Sequence, residues 1–169
     1  LEHFEPSLYL LGMLQETMDK NQPRRFSCLG ASPLYVLPSE NRCYSTVLKQ
    51  QLDPLQKTLY NSYTKNIQVT DLTEVALAEE VKHHHLRPYP IDTALWLAAL
   101  NCSHGRLLLG QTPDVNIRLR HWPNFIMLPH DTTHVGLSAF MLKNSANLVT
   151  IAQKTHTTLE NVVDFFNAC

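Results

Sequence analysis

A chain of 169 residues with 44% hydrophobic side chains has material for one generous domain or two small ones sharing an interface, and needs no disulfide or metal to fold. With 14 basic and 15 acidic side chains the net charge is −1, which excludes a global pull toward nucleic acid or anionic membrane and leaves any such binding to a local patch. No apolar run approaches the roughly 18 to 20 residues of a membrane span, and the N-terminus lacks the charged-then-apolar pattern of a signal peptide.

In chain order, Leu10, Leu14 and Met18 recur at i, i+4, i+8 between Pro6 and Pro23, which predicts an amphipathic helix over residues 7–20. Arg25 to Leu29, Leu34 to Leu37 and Arg42 to Val47 are short β-prone runs separated by Gly30-Ala31-Ser32-Pro33 and Pro38-Ser39-Glu40-Asn41, the pattern of a small antiparallel meander. Residues 48–62 read as helical, with the regular helix starting at Pro54. Ile67 to Leu72 is a strand candidate. Thr73 to His84 is a helix whose Glu74, Glu79 and Glu80 precede a basic end, as the helix dipole favours. Arg87-Pro88-Tyr89-Pro90 cannot continue it and marks a domain boundary.

Asp92 then reads as the cap of a helix over Thr93 to Cys102, apolar nearly all round and therefore central. Arg106 to Leu109 and Val115 to Trp122 follow as strands. In the second, alternation puts Ile117, Leu119 and His121 on one face and Asn116, Arg118, Arg120 and Trp122 on the other. The last 40 or so residues read as three helices: Thr132 to Lys143, Ala146 to Thr155, and Leu159 onward. The predicted class is α+β, with residues 1–86 an α/β part carrying a small antiparallel sheet and residues 91–169 a mostly helical part. Leu1 to Phe4 and the end at Cys169 read as edges of a longer chain whose flanks carry part of the function.

The terminal segment has the packing skeleton of a helix-turn-helix: Leu148, Ile151 and Ala152, a His156-Thr157-Thr158 corner, then Leu159, Val162, Val163 and Phe166. Its second helix offers Thr158, Glu160, Asn161, Asp164 and Asn167 without a single Lys or Arg, and Glu160 and Asp164 would repel phosphates. A protein-docking or structural use of this degenerate, winged-helix-like skeleton therefore ranks ahead of DNA reading. A second candidate is Arg118, Arg120, His121, Trp122, Asn124 and Phe125. Two planar guanidinium groups beside an indole suit an acidic protein partner or a cyclic dinucleotide, against the plainer reading of a solvated strand face with core plugs.

His83, His84 and His85 splay about 100° apart on a helix and cannot converge on one ion. His130 and His134 are spaced i, i+4, but His130 follows Pro129 and precedes the helix that Asp131 or Thr132 caps, so no metal and no cofactor is expected. Cys28, Cys43, Cys102 and Cys169 have no paired spacing and suit a reducing cytoplasm. No GxSxG elbow, glycine-rich phosphate loop or HExxH is present, and Cys102 with His104 is a poor nucleophile and base, so catalysis is not expected.

Taken together, Ala94-Leu95-Trp96-Leu97-Ala98-Ala99-Leu100, Gly105-Arg106-Leu107-Leu108, the run from Arg118 to Phe125 and the terminal helices resemble a poorly characterised group of proteobacterial proteins. The resemblance covers mainly residues 88–169, and its most specific element is the Arg-x-Arg-x-Trp-Pro-Asn run. It implies a place in bacterial signalling alongside receiver domains, Ras-like GTPases or surface-motility machinery, and it transfers no catalytic residue. The leading expectation is a non-catalytic regulatory or scaffolding module of a cytosolic signalling pathway that binds a protein. A DNA-binding regulator and a small-ligand sensor are the alternatives.

Overall fold

The computed structural model describes every residue from Leu1 to Cys169. In chain order the elements are β1 (His3–Phe4), α1 (Leu10–Lys20), β2 (Arg24–Ser27), β3 (Leu34–Leu37), β4 (Arg42–Ser45), α2 (Pro54–Tyr60), β5 (Gln68–Asp71), α3 (Glu74–His83), β6 (Arg87–Pro90), α4 (Ile91–Ser103), β7 (Leu107–Leu108), α5 (Thr132–Lys143), α6 (Leu148–Thr155) and α7 (Leu159–Ala168). The fold is α+β. No helix is long and apolar enough to cross a membrane.

Five strands form an antiparallel sheet in the order β5-β2-β3-β4-β6, while β1 and β7 make a separate parallel pair. Side chains alternate across β3: Leu34 and Val36 enter the main core, whereas Tyr35 and Leu37 face Leu77 of α3 on the opposite side. One sheet face thus carries α3 alone, and the other lies on the main helical layer. At the centre of that layer is α4, whose Ala94, Ala98 and Ala99 let α1, α2 and α7 approach closely. A helix with so little polar surface is stable only when surrounded.

Several elements depart from the sequence reading. Arg87–Pro90, where the sequence reads as a break, is the edge strand β6, paired with Arg42–Ser45. Prolines without an N–H are tolerated on an edge, where one side of the strand needs no donors. Residues before and after it share one core of 31 buried side chains, running from Phe4 and Phe26 to Val163 and Phe165. Helix α4 begins at Ile91 with Pro90 in the cap position, so Asp92 lies in the first turn instead of capping it. Asp131 does cap α5, accepting from the His134 amide while His134 Nδ1 accepts from the Asp131 amide.

Val115 to Trp122 forms no strand. Its one β-type pairing is the bridge between Ile117 and Ala146, because no neighbouring strand is available to extend the ladder. The in-and-out alternation nevertheless holds: Ile117 and Leu119 pack against the core, while Arg118 and Arg120 are exposed. The α6–α7 pair turns at His156, which adopts φ 53, and Thr158 Oγ1 accepts from the Asn161 amide to start α7. Beside this pair, β7 packs against α7 and is joined in parallel to β1. The apolar side of α7, Val162, Val163 and Phe165, is buried in the core, where Phe165 meets Trp96 of α4 edge to face.

Candidate functional site: a strap over a cavity

Residues 117–130 cross the helical layer as a strap held mainly by backbone groups. The amides of Ile117 and Leu119 donate to the Ala146 and Met141 carbonyls at 2.9 and 3.0 Å. From α4, Thr93 Oγ1 donates to the Met127 carbonyl at 2.9 Å and Trp96 Nε1 to the Pro129 carbonyl at 2.8 Å. The Met127 and Leu128 amides both donate to the Asn124 carbonyl, closing a tight turn. Phe125 plugs the strap from beneath, stacked on His130 at 4.2 Å between ring centres and edge-on to Trp96 at 6.2 Å.

Outside this anchored layer the strap displays apolar surface. Trp122 is 50% exposed, Ile126 93% and Met127 40%, and Trp122 touches the fold edge-on through Phe125 at 6.3 Å. Arg120 is exposed and has no salt bridge or side-chain hydrogen bond. Arg118 is exposed too, with Nε donating to the Leu142 carbonyl at 3.1 Å, and it pairs with no carboxylate. A patch of exposed large apolar side chains beside unneutralised guanidinium groups is the composition of an interface more than of ordinary surface.

Beneath the strap lies a cavity of about 540 Å³ bordered by α1, α4 and the last residues of α7, Asn167 and Ala168, with Cys169 beyond them. Leu11, Leu95, Trp96, Ala99, Leu108, Leu119 and Leu128 give it apolar walls, while Gln15, Asp92, His121 and Asn124 supply polar groups from exposed positions. His121 Nδ1 donates to the Trp122 carbonyl at 3.2 Å, which leaves its Nε2 as an acceptor in the neutral ring. Neither Arg118 nor Arg120 lines the cavity, so the expected clamp of two arginines and an indole around one ligand does not form there.

The two acidic candidates on α7 belong elsewhere. Asp164 Oδ1 accepts from the Gly105 amide at 2.8 Å, tying α7 to the turn after α4. Burial pushes its carboxyl up to about 6, against the opposing pull of that hydrogen bond. Glu160 packs over the same glycine: a Cβ at Gly105, where φ is +72, would stand 3.0 Å from Glu160 Cγ. Asn167 extends the tie, its Nδ2 donating to Ser103 Oγ and the Arg106 carbonyl at 3.0 and 2.7 Å. Asp164 and Asn167, two of the polar groups expected to meet DNA or a partner, instead fasten α7 to its own fold, while Thr158, Glu160 and Asn161 are exposed.

The histidine candidates are similarly occupied. His130 Nδ1 donates to the Leu128 carbonyl at 2.9 Å, and His134 is buried, which pulls its basicity down and suits its role as an acceptor in the α5 cap. Sequence reasoning missed Gln15 and the cavity role of Asp92. Gln15 follows the apolar Leu14 on α1 without any distinguishing neighbour, and Asp92 reads naturally as a helix-start residue. Comparison with protein-family models, with curated proteins and with solved structures gives no match.

Proposed function

We propose that this chain is a non-catalytic regulatory or scaffolding module that binds a protein partner through the outer face of the strap, with Trp122, Ile126 and Met127 as apolar anchors and Arg118 and Arg120 as a cationic rim. The observation that carries this reading is Ile126, 93% exposed in a backbone-anchored turn beside a half-exposed Trp122. A large aliphatic side chain held in water by a turn costs hydration free energy that a partner recovers. The free guanidinium groups favour a partner segment carrying Asp or Glu beside its apolar residues. All four cysteines are free thiols, which suits a cytoplasmic setting.

The alternative use of α7 as a DNA-reading helix is less well supported, because Asp164 and Asn167 are committed to Gly105, Ser103 and Arg106. The test is quantitative affinity capture with the wild-type chain and with a Trp122→Ala, Ile126→Asp double variant of unchanged circular dichroism and melting temperature. The reading expects proteins retained by the wild type to be lost from the variant. Equal retention by the folded variant rejects it.

A further inference from the structure

The outer face of the strap and the cavity beneath it are chemically different sites. Arg118 and Arg120 belong to the first, and no Lys or Arg lines the second. Around the cavity, Asp92 is the only Asp or Glu, and His121 Nδ1 is engaged by the Trp122 carbonyl, so that its Nε2 is left without a partner in the chain. The side chains of Asp92, Gln15 and Asn124 make no hydrogen bond within the chain, nor does Asp92 form a salt bridge. They arrive from three different elements, α4, α1 and the strap, and converge on one opening. The walls beyond are apolar and include the indole of Trp96, which is fixed by its bond to Pro129.

A volume of about 540 Å³ falls within the range of small-molecule sites, and apolar walls with a few unengaged polar groups are their usual composition. The polarity of those groups decides the ligand. The Asp92 carboxylate receives N–H donors and positive charge, while an anion would meet it with no Lys or Arg in the lining to offset it. We infer that the cavity binds a small organic cation with an aromatic or otherwise apolar body, its ammonium group directed to Asp92 and His121 and its body against Trp96. This assignment excludes a phosphate-bearing nucleotide from the cavity. It stands apart from protein docking on the outer face, since Arg118, Arg120, Trp122 and Ile126 do not line the cavity and Met127 alone borders both.

A matched pair of probes tests it: 2-(1-naphthyl)ethylamine and 1-naphthylacetate, which share a body and differ in the sign of their charge. Titration of the ¹⁵N-labelled full chain, followed at the Trp96 indole N–H, gives affinity and location together. The amine is expected to shift that resonance saturably and to bind at least about fivefold more tightly than the acetate. Asp92→Asn should reduce the amine's affinity about threefold, the scale of an ion pair open to water, and leave the acetate unchanged or improved. Leu95→Trp, which fills the cavity from an incompletely buried wall position, should abolish both, and serves if Asp92→Asn does not fold. Failure of the amine to shift Trp96 at millimolar concentration, equal or tighter binding of the acetate, or indifference of the amine to a folded Asp92→Asn variant would each overturn the assignment.

Discussion

The Asp164 carboxylate accepts the backbone amide of Gly105 at 2.8 Å, and this contact joins the last helix to the turn that ends the central one. The amide belongs to a turn in which His104 and Gly105 both have positive φ, so it lies outside the α4 ladder and needs an acceptor from another element. Asp164→Ala should therefore cost about 1 to 3 kcal/mol, the usual consequence of stranding a buried donor, read by urea denaturation. Gly105→Ala should cost about 1 kcal/mol or more, because φ +72 disfavours a side chain and Glu160 leaves its Cβ little room.

The same carboxylate gives the fold a pH signature. Its pKa is raised from 3.8 to about 6, chiefly by burial, so the folded state holds the proton more tightly than the unfolded chain. That contribution is fully present below 3.8 and is lost as pH rises through about 6. Asp164→Asn keeps an oxygen acceptor without the charge. The difference in stability between Asp164→Asn and wild type should move in favour of the variant between about pH 4 and pH 7. A difference independent of pH would show that Asp164 titrates normally.

Tyr60 presents the opposite case, a buried hydroxyl with no hydrogen-bond partner. Burial drives its ionisation far above the ordinary tyrosine range, so the phenol is neutral in the folded state. Tyr60→Phe removes an unsatisfied polar atom while keeping the ring. It should leave stability unchanged or raise it by up to about 1 kcal/mol, in contrast to the loss expected at most buried positions.

Cys43 and Cys102 are buried and their thiols are pushed up to about 12, so neither offers thiolate at neutral pH. A disulfide reagent should leave these two thiols unreacted for as long as the chain stays folded. Modification at the rate of global unfolding, abolished singly by Cys43→Ala and Cys102→Ala, is the expected pattern.

Legibility in the sequence follows from what each pattern physically reports. The meander of β2, β3 and β4, the start of α2 at Pro54, and α1 and α3 were predicted within a few residues, because local turn chemistry and helix periodicity set them. Alternation across residues 115–122 reported an extended chain with one face inward, and Ile117, Leu119 and His121 do turn toward the core or cavity. A strand also needs a partner ladder, and that depends on elements 20 or more residues away, such as Met141 and Ala146. The prolines of β6 read as a break for the same reason: a sequence shows the missing donors but not that the edge of a sheet tolerates them. Trp122 and Phe125 read as candidate binding residues, or on the plainer reading as core plugs; the plug role falls to the partly buried Phe125, while Trp122 is half-exposed. The reassignment of Asp164 was invisible, as the Gly105 amide that holds it lies 59 residues away.

Trp96 links the core to the site. Its indole donates to the Pro129 carbonyl and its ring meets Phe125, His134 and Phe165 edge to face. Trp96→Phe should cost about 2 to 4 kcal/mol through the lost packing and the stranded carbonyl. Amide exchange should accelerate at Met127 and Leu128 more than in the sheet, because the strap loses one of its two side-chain anchors from α4.

The most direct measurement of the central claim is the capture comparison between wild type and the Trp122→Ala, Ile126→Asp variant, with Arg118 and Arg120 intact in both. Both substituted side chains are largely solvent-exposed, so the variant should melt with the wild type. Loss of retained partner from a variant of unchanged stability is the predicted result; a folded variant that retains the same partner with the same affinity would contradict the assignment of the strap as the docking surface.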